Sequence, residues 1–371
     1  MSGPGYSLRS DYLLWALLGL LLLLSVVHPA GIVSYPRLVD WPTIATMAGL
    51  LLLTAGIEAS GFLHRSAWRI AGLIHDERSL ALFLVGTSAL CAALLTNDIA
   101  LFIVVPLTLS LGEYAALPLR RLIIFEALAV NAGSMFTPIG NPQNIFLWQS
   151  SGAHFLEFMW AMALPTAVAA LCLLGFTLMA FRPRPLELHG LAGPLAVRWP
   201  LFVMAASLFV PFIVCADLRH AEWALLAVML VFLAVSRQVF RRLDWPLLSV
   251  FVLMFVDLRV VAGLPAVARA LDAVDLRHPL SLYLTGAGLS QFISNVPATI
   301  LLSAHSGDWQ SLAWGVDVGG FGLLVGSLAN IIALRLGGQR GSLLAFHAWS
   351  APFLVLTGGL TGLWLLAHAA G

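Results

Sequence analysis

Lysine is absent from this 371-residue chain, so all 19 of its basic side chains are arginines. Charge of either sign is scarce: 10% of residues are charged against 60% hydrophobic, and the mean hydropathy is +0.94. Ordinary soluble domains are about 45–50% apolar and 25% charged, so a soluble globular protein is excluded. Nineteen cations against 18 acids leave a net charge of +1, which offers no basic surface for nucleic acid. The three cysteines, Cys91, Cys172 and Cys215, lie in apolar runs without CxxC spacing, so neither a disulfide framework nor a thiolate metal site is indicated. The ten histidines are scattered and point to no metal site. A Gly-x4-Gly-Lys-Ser/Thr loop that would drive transport by nucleotide hydrolysis is missing, as are HExxH and GxSxG, so no enzyme constellation is expected.

What the chain has is long apolar runs with arginine-bearing breaks. About 20 apolar residues cross the hydrocarbon core as a helix, and the runs 12–28, 42–63, 122–151, 155–180, 199–216, 221–236, 245–264, 311–334 and 343–368 read as spans. The first follows Arg9 and imitates a signal peptide, but no small-x-small cleavage site follows Leu24 and Ser25, and it is read as a membrane helix. Two further stretches, 80–111 and 280–304, are interrupted by Thr96-Asn97-Asp98 and by Ser294-Asn295-Val296-Pro297. Each half is too short to span alone, which predicts re-entrant hairpins. Arginine placement agrees, since cytoplasmic loops carry the positive excess. With both stretches re-entrant, fourteen arginines fall inside and four outside; with both crossing, the same eighteen divide nine to nine. The expectation is an all-α polytopic membrane protein of about nine spans and two hairpins. Its N-terminus would be cytoplasmic and its C-terminus outside, in a bacterial-type inner membrane.

Three landmarks recur in the same order in both halves. Asp40-Trp41-Pro42 matches Asp244-Trp245-Pro246. Thr96-Asn97 matches Ser294-Asn295, with Thr87 matching Thr285 at the same offset of 198. Gly133-x6-Gly140-x3-Asn144-Ile145 matches Gly319-x6-Gly326-x3-Asn330-Ile331 at an offset of 186. In the topology above the two copies run in opposite directions, an inverted-topology repeat that presents one central site to either face in turn. Residues 1–180 form the first repeat, 181–198 a proline-rich cytoplasmic linker, and 199–371 an inverting span followed by the second repeat.

Each repeat places two irregular points at membrane depth, the hairpin tip and a break in the following helix. In the first half the break is Phe136-Thr137-Pro138-Ile139-Gly140-Asn141-Pro142-Gln143-Asn144; in the second it is Gly319-Gly320-Phe321-Gly322 with Gly326-Ser327-Leu328-Ala329-Asn330. Unwound backbone survives in a membrane only where protein buries it or it lines a cavity. Freed carbonyls and Asn/Thr oxygens suit Na⁺, and half-helix N-termini suit an anion. An isolated glycine or asparagine here would be ordinary packing glue; two symmetric sets favour a site. The candidates are Thr96, Asn97, Asp98, Thr137, Gly140, Asn141 and Asn144 with Ser294, Asn295, Thr299, Gly326, Ser327 and Asn330. Of the intramembrane acids, Asp98 at the first tip and Asp317, opposite Asn131 in the repeat, are the best proton or cation carriers. Glu58 and Asp257 are expected near helix ends or paired with Arg259, and Glu126 in an interfacial ion pair with Arg120 or Arg121.

The stretches Leu-Leu-Thr-Asn-Asp-Ile-Ala-Leu (94–101), Thr-Pro-Ile-Gly-Asn-Pro-Gln-Asn-Ile (137–145), Ser-Asn-Val-Pro-Ala-Thr (294–299) and Gly-Ser-Leu-Ala-Asn-Ile-Ile-Ala-Leu (326–334) resemble the ion transporter superfamily. That group holds arsenite permeases, NhaD-type sodium/proton antiporters, citrate transporters and divalent-anion/sodium symporters. The resemblance covers nearly the whole chain and implies a substrate held between two hairpin tips. It also implies cation sites at Thr96, Asn97, Gly140 and Asn144 and at Ser294, Asn295, Gly326 and Asn330. Dicarboxylate symporters carry Ser-Asn-Thr at both tips; Thr-Asn-Asp and Ser-Asn-Val here make a dicarboxylate facing Asp98 less comfortable. The Asn-Asp tip is closer to arsenite permeases, whose substrate is a neutral hydroxide, and a small bacterial anion-permease branch fits best. The expected function is secondary transport of a small anion or arsenite by alternating access, with Na⁺ or H⁺ as coupling ion and no other cofactor. The alternative is a sodium/proton antiporter without an anion. The lipid bilayer is the expected surrounding, and a homodimer is left open.

Overall fold

The computed structural model describes residues 12–27, 29–186, 196–339 and 341–369. The middle of the expected linker, 187–195, and Arg9 and Arg340 of the arginine count lie outside the described residues. The first half contains α1 (Tyr12–Val27), α2 (Tyr35–Leu38), α3 (Trp41–Ala59), α4 (Phe62–Ala71), α5 (Glu77–Leu94), α6 (Asn97–Leu111), α7 (Leu119–Ser134), α8 (Pro142–Ser151) and α9 (Phe155–Ala180). The second contains α10 (Trp199–Asp217), α11 (Ala221–Val235), α12 (Trp245–Ala262), α13 (Pro265–Asp272), α14 (Pro279–Ile293), α15 (Asn295–Ser303), α16 (Trp309–Gly319), α17 (Leu328–Gly337) and α18 (Ser342–Ala369). Among the described residues there is no strand, only an isolated bridge between Asp76 and Pro185.

Helices α3, α5, α9, α10, α12 and α18 are long and apolar enough to cross a membrane, and α1, α6, α11 and α17 are shorter apolar helices. Their burial differs in a way that water would not tolerate. In α3, 78% of the apolar window is buried inside the protein, whereas in α10 only 22% is, so α10 turns an apolar face outward. Trp160 on α9 is 82% exposed and Val210 on α10 is 65% exposed, which suits a helix whose outer solvent is lipid. The protein is a multi-pass membrane protein.

The helix starts explain one sequence landmark. Asp40 accepts the Thr43 N–H (3.0 Å) and Asp244 the Leu247 N–H (2.9 Å), each with Pro in the first turn where no N–H is needed. Asp76 caps α5 the same way at the root of the first hairpin, and the Ser79 hydroxyl and N–H hold its carboxyl below the usual carboxylate range. The expected interruptions are also where they were read. Residues 122–151 are not one helix but α7 and α8 with an unwound link, and 311–334 are α16 and α17 with another. The hairpin turns fall at Leu95-Thr96 and at Ser294. The nine-residue α15 rises only about 14 Å, half the hydrocarbon thickness, and is too short to cross by itself. For α5 length alone does not decide, since its 18 residues would reach across.

A long helix, a short amphipathic helix, a hairpin, a broken helix and a long helix follow one another as α3 to α9 and again as α12 to α18. The packing recurs too. Helix α5 lies along α7 as α14 lies along α16, and the half-helices are exchanged: α17 packs on α6 and α7, and α8 on α15 and α16. Helices α3 and α12 are antiparallel, because Arg259 near the end of α12 meets Asp40 at the start of α3 (3.7 Å) and Arg242 before α12 meets Glu58 at the end of α3 (3.8 Å).

Candidate functional site

The first hairpin is docked to the first broken helix through backbone. The Asn97 N–H, at the start of α6, donates to the Gly140 carbonyl (2.8 Å), and the Thr137 hydroxyl donates to the Ala93 carbonyl at the end of α5 (2.6 Å). A Cβ on Gly140 would stand 2.2 Å from the Ser134 carbonyl oxygen, so no other residue fits. Unwinding after α7 orphans its last carbonyls. Asn144 supplies the missing donor, its Nδ2 lying 3.3 Å from the Ser134 and Met135 oxygens and 3.4 Å from that of Thr137. Asn141 caps α8 by accepting the Asn144 N–H (2.8 Å).

The second set is built on the same plan. Asn330 Nδ2 donates to the Gly320 carbonyl (2.9 Å), and positions 330 and 320 are 144 and 134 advanced by the repeat offset of 186. Ser327 caps α17 through the Ala329 N–H, and a Cβ on Gly326 would lie 2.7 Å from the Gly319 oxygen. At both tips the asparagine accepts from the next N–H: Asn97 from Asp98 and Asn295 from Val296, each 2.9 Å. The Thr299 hydroxyl is spent on the Asn295 carbonyl (2.7 Å). Gln291, which the sequence reading passed over, ties the second link: its Nε2 donates to the Gly319 carbonyl (2.6 Å) and its Oε1 accepts the Leu323 N–H (2.7 Å). A polar amide inside an apolar hairpin arm was the available signal.

The two sets meet across the halves. Asn131 on α7 donates to Asn330 Oδ1 (2.8 Å). Asp317 on α16, 2% exposed, accepts from Asn141 (3.1 Å) and from Gln143 (2.9 Å) of the first half. Three buried oxygens at this joint have no donor: Gln143 Oε1, Asn144 Oδ1 and Asp317 Oδ2. Buried polar atoms are rarely left so. Among the described residues no arginine or histidine hydrogen-bonds or ion-pairs with these groups, so the joint holds spare acceptors and a carboxylate without a fixed cation.

Not every expected residue joins it. Asp98 and Thr96 line a separate cavity of about 10 Å³, room for about one water, with Met47, Leu51, Pro142, Ile145 and Leu247. Among the described residues Glu126 makes no ion pair: it is fully buried and accepts the Thr108 hydroxyl, while Arg121 donates to the Ala180 carbonyl (2.6 Å). Glu58 lies at the end of α3, as expected, and its partner is Arg242; Asp257 lies inside α12 and has no partner among the described residues. No cluster of three His, Cys, Asp or Glu that could hold a metal ion occurs among the described residues.

The citrate transporter family matches residues 9–316. The chain belongs to this family. Inner membrane protein YbiR of Escherichia coli strain K12 is 43% identical over 334 residues, covering 90% of this chain and 89% of that one. An uncharacterized transporter of Methanocaldococcus jannaschii is 30% identical over 321 residues, 85% of this chain and 86% of its own. A silicon efflux transporter of rice is 29% identical over 156 residues, 42% of this chain and 32% of the rice protein. This member of the citrate transporter family is therefore a membrane transport protein.

Proposed function

We propose that the chain is a secondary active transporter of a small oxyanion, or of the neutral hydroxide of a weak oxyacid such as arsenite, coupled to Na⁺ or H⁺. The observation that carries this is the joint at Asp317, where hydrogen bonds from one half end on the other and three acceptor oxygens lack donors. Binding there bridges the halves, and a change in occupancy is felt by both. The antiparallel α3 and α12 and the exchanged half-helices support an inverted repeat, the architecture that opens one site to either face in turn.

The chemistry of the joint bears on the substrate. Amides and hydroxyls both donate and accept, and α6, α8, α15 and α17 begin close to it, giving N-terminal partial positive charge. Among the described residues no basic side chain stands ready to neutralise several carboxylates, so a single small anion or a neutral hydroxide suits the site better than a free tricarboxylate. Silicon, named for the rice relative, is also a neutral hydroxide in neutral water. The spare oxygens and Asp317 suit the coupling cation.

Proteoliposomes decide the matter. Imposed Na⁺ or proton gradients are expected to drive accumulation of arsenite over citrate, and Asn97→Ala and Asn295→Ala are each expected to abolish it while the purified variants remain folded. Normal uptake by both variants would reject the site. Sodium/proton exchange with neither solute moving would make the protein an antiporter.

A further inference from the structure

Asp257 has no part in the joint. It lies two-thirds of the way along α12, is 0% exposed, and neither carboxyl oxygen has a hydrogen-bond partner. Its neighbours one helical turn away, Leu253, Met254, Val260 and Val261, are apolar.

Among the described residues no charge comes to meet it. Of the elements packed on α12, α1 and α15 carry no acid, arginine or histidine. On α2, Arg37 is exposed; on α13, Arg269 and Asp272 are exposed. At the two ends of α3, Asp40 is held by Arg259 and Glu58 by Arg242. On α12 itself Asp244 is engaged in capping, and Arg259 points to Asp40, to the Leu38 carbonyl (2.6 Å) and to the rings of Phe146 and Phe255. An unpaired carboxylate is among the costliest groups to hold in such surroundings, and acids inside a membrane segment mark ion or proton pathways.

We propose that Asp257 is a proton-binding site that loads and unloads as the second hairpin moves. The geometry supplies the coupling: α12 packs directly on α15, which leads away from the tip at Asn295. In this packing the carboxyl is sealed and carries its proton. When α15 shifts and water enters, the O–H bond breaks, the proton passes to a water molecule and the carboxylate is left hydrated; resealing requires that a proton be taken up again. The inference rests on the transporter reading, and it holds whichever ion occupies the joint at Asp317.

Two measurements test it, one of which needs no substrate. Infrared spectra of the purified, reconstituted protein are expected to show a protonated-carboxyl band that disappears in Asp257→Asn and returns shifted in Asp257→Glu. In vesicles loaded with arsenite, Asp257→Asn, which resembles the protonated state permanently, should keep arsenite counterflow but lose accumulation driven by a proton gradient, the inside-to-outside ratio falling to one. Asp257→Leu guards against misfolding of the amide variant and should match it. An unchanged carboxyl band, or proton-driven accumulation intact in Asp257→Asn, would overturn the proposal. Absence of arsenite counterflow in the parent would reject the substrate reading instead, and the infrared result would still decide Asp257.

Discussion

Ser294 holds φ +73° and ψ 157°, a region occupied almost only by glycine, at the tip of the second hairpin. Such a residue costs about 1–3 kcal/mol and persists only where its surroundings impose it. Ser294→Gly should relieve most of that, offset in part by the freer unfolded chain, and raise stability by about 1 kcal/mol. Its uptake should fall, because the hydroxyl beside Asn295 is gone. A lowered thermal midpoint would show that the serine is not strained. The tip residues were legible from sequence because Asn, Ser and Pro interrupting an apolar run have few uses in lipid. The backbone angle was not, since serine rarely adopts it. Nor were the partners of the acids: Glu126 lies near Arg120 and Arg121 in sequence, yet Thr108 on the neighbouring α6 reaches it. Side-chain partners across helices depend on rotation and depth, which sequence spacing leaves open.

At the scale of elements, short half-helices need something to hold them. Helix α8 has ten residues, so its N-terminal site residues are placed by whatever grips its other end. That grip is Arg219, held at φ +63° in the turn between α10 and α11. It donates to the carbonyls of Trp148 (2.9 Å), Gln149 (3.0 Å) and Ala153 (3.0 Å), where a helix C-terminus favours a cation. Asp217, the last residue of α10, accepts the Phe155 N–H (2.6 Å) at the start of α9. Charge-assisted bonds to otherwise orphaned carbonyls are worth about 1.5–3 kcal/mol each before non-additivity, so Arg219→Ala should destabilise by about 2–4 kcal/mol. Uptake should weaken although the residue lies a full half-helix from Asn141. A variant with the parent's thermal midpoint and uptake would show that α8 is positioned from its N-terminal side alone. Both breaks were foreseeable from Pro138, Gly140 and Pro142 and from the glycines of 319–326. The clamp was not, because a lone arginine between two apolar runs reads as a loop charge.

For the whole molecule, the exchanged half-helices bring residues of both halves to one joint. Asn131 and Asn330, and Asp317 with Asn141 and Gln143, already bond across, and the atoms left without donors are oxygens. The repeat offset announced that two similar halves exist; it carried no information on which helix of one would rest on the other. A cation taken up by those oxygens would therefore stabilise the folded chain as a unit, by about 2.7 kcal/mol at a hundred times its dissociation constant. The thermal midpoint of the purified protein should be higher in Na⁺ than in choline at equal ionic strength. The difference should vanish in Asn97→Ala and Asn295→Ala, whose tips lose the side-chain amides that accept the Asp98 and Val296 N–H. Equal midpoints in the two salts would remove sodium from the joint and leave the proton as the coupling ion. A sodium-specific rise that survives in both variants would place the cation elsewhere.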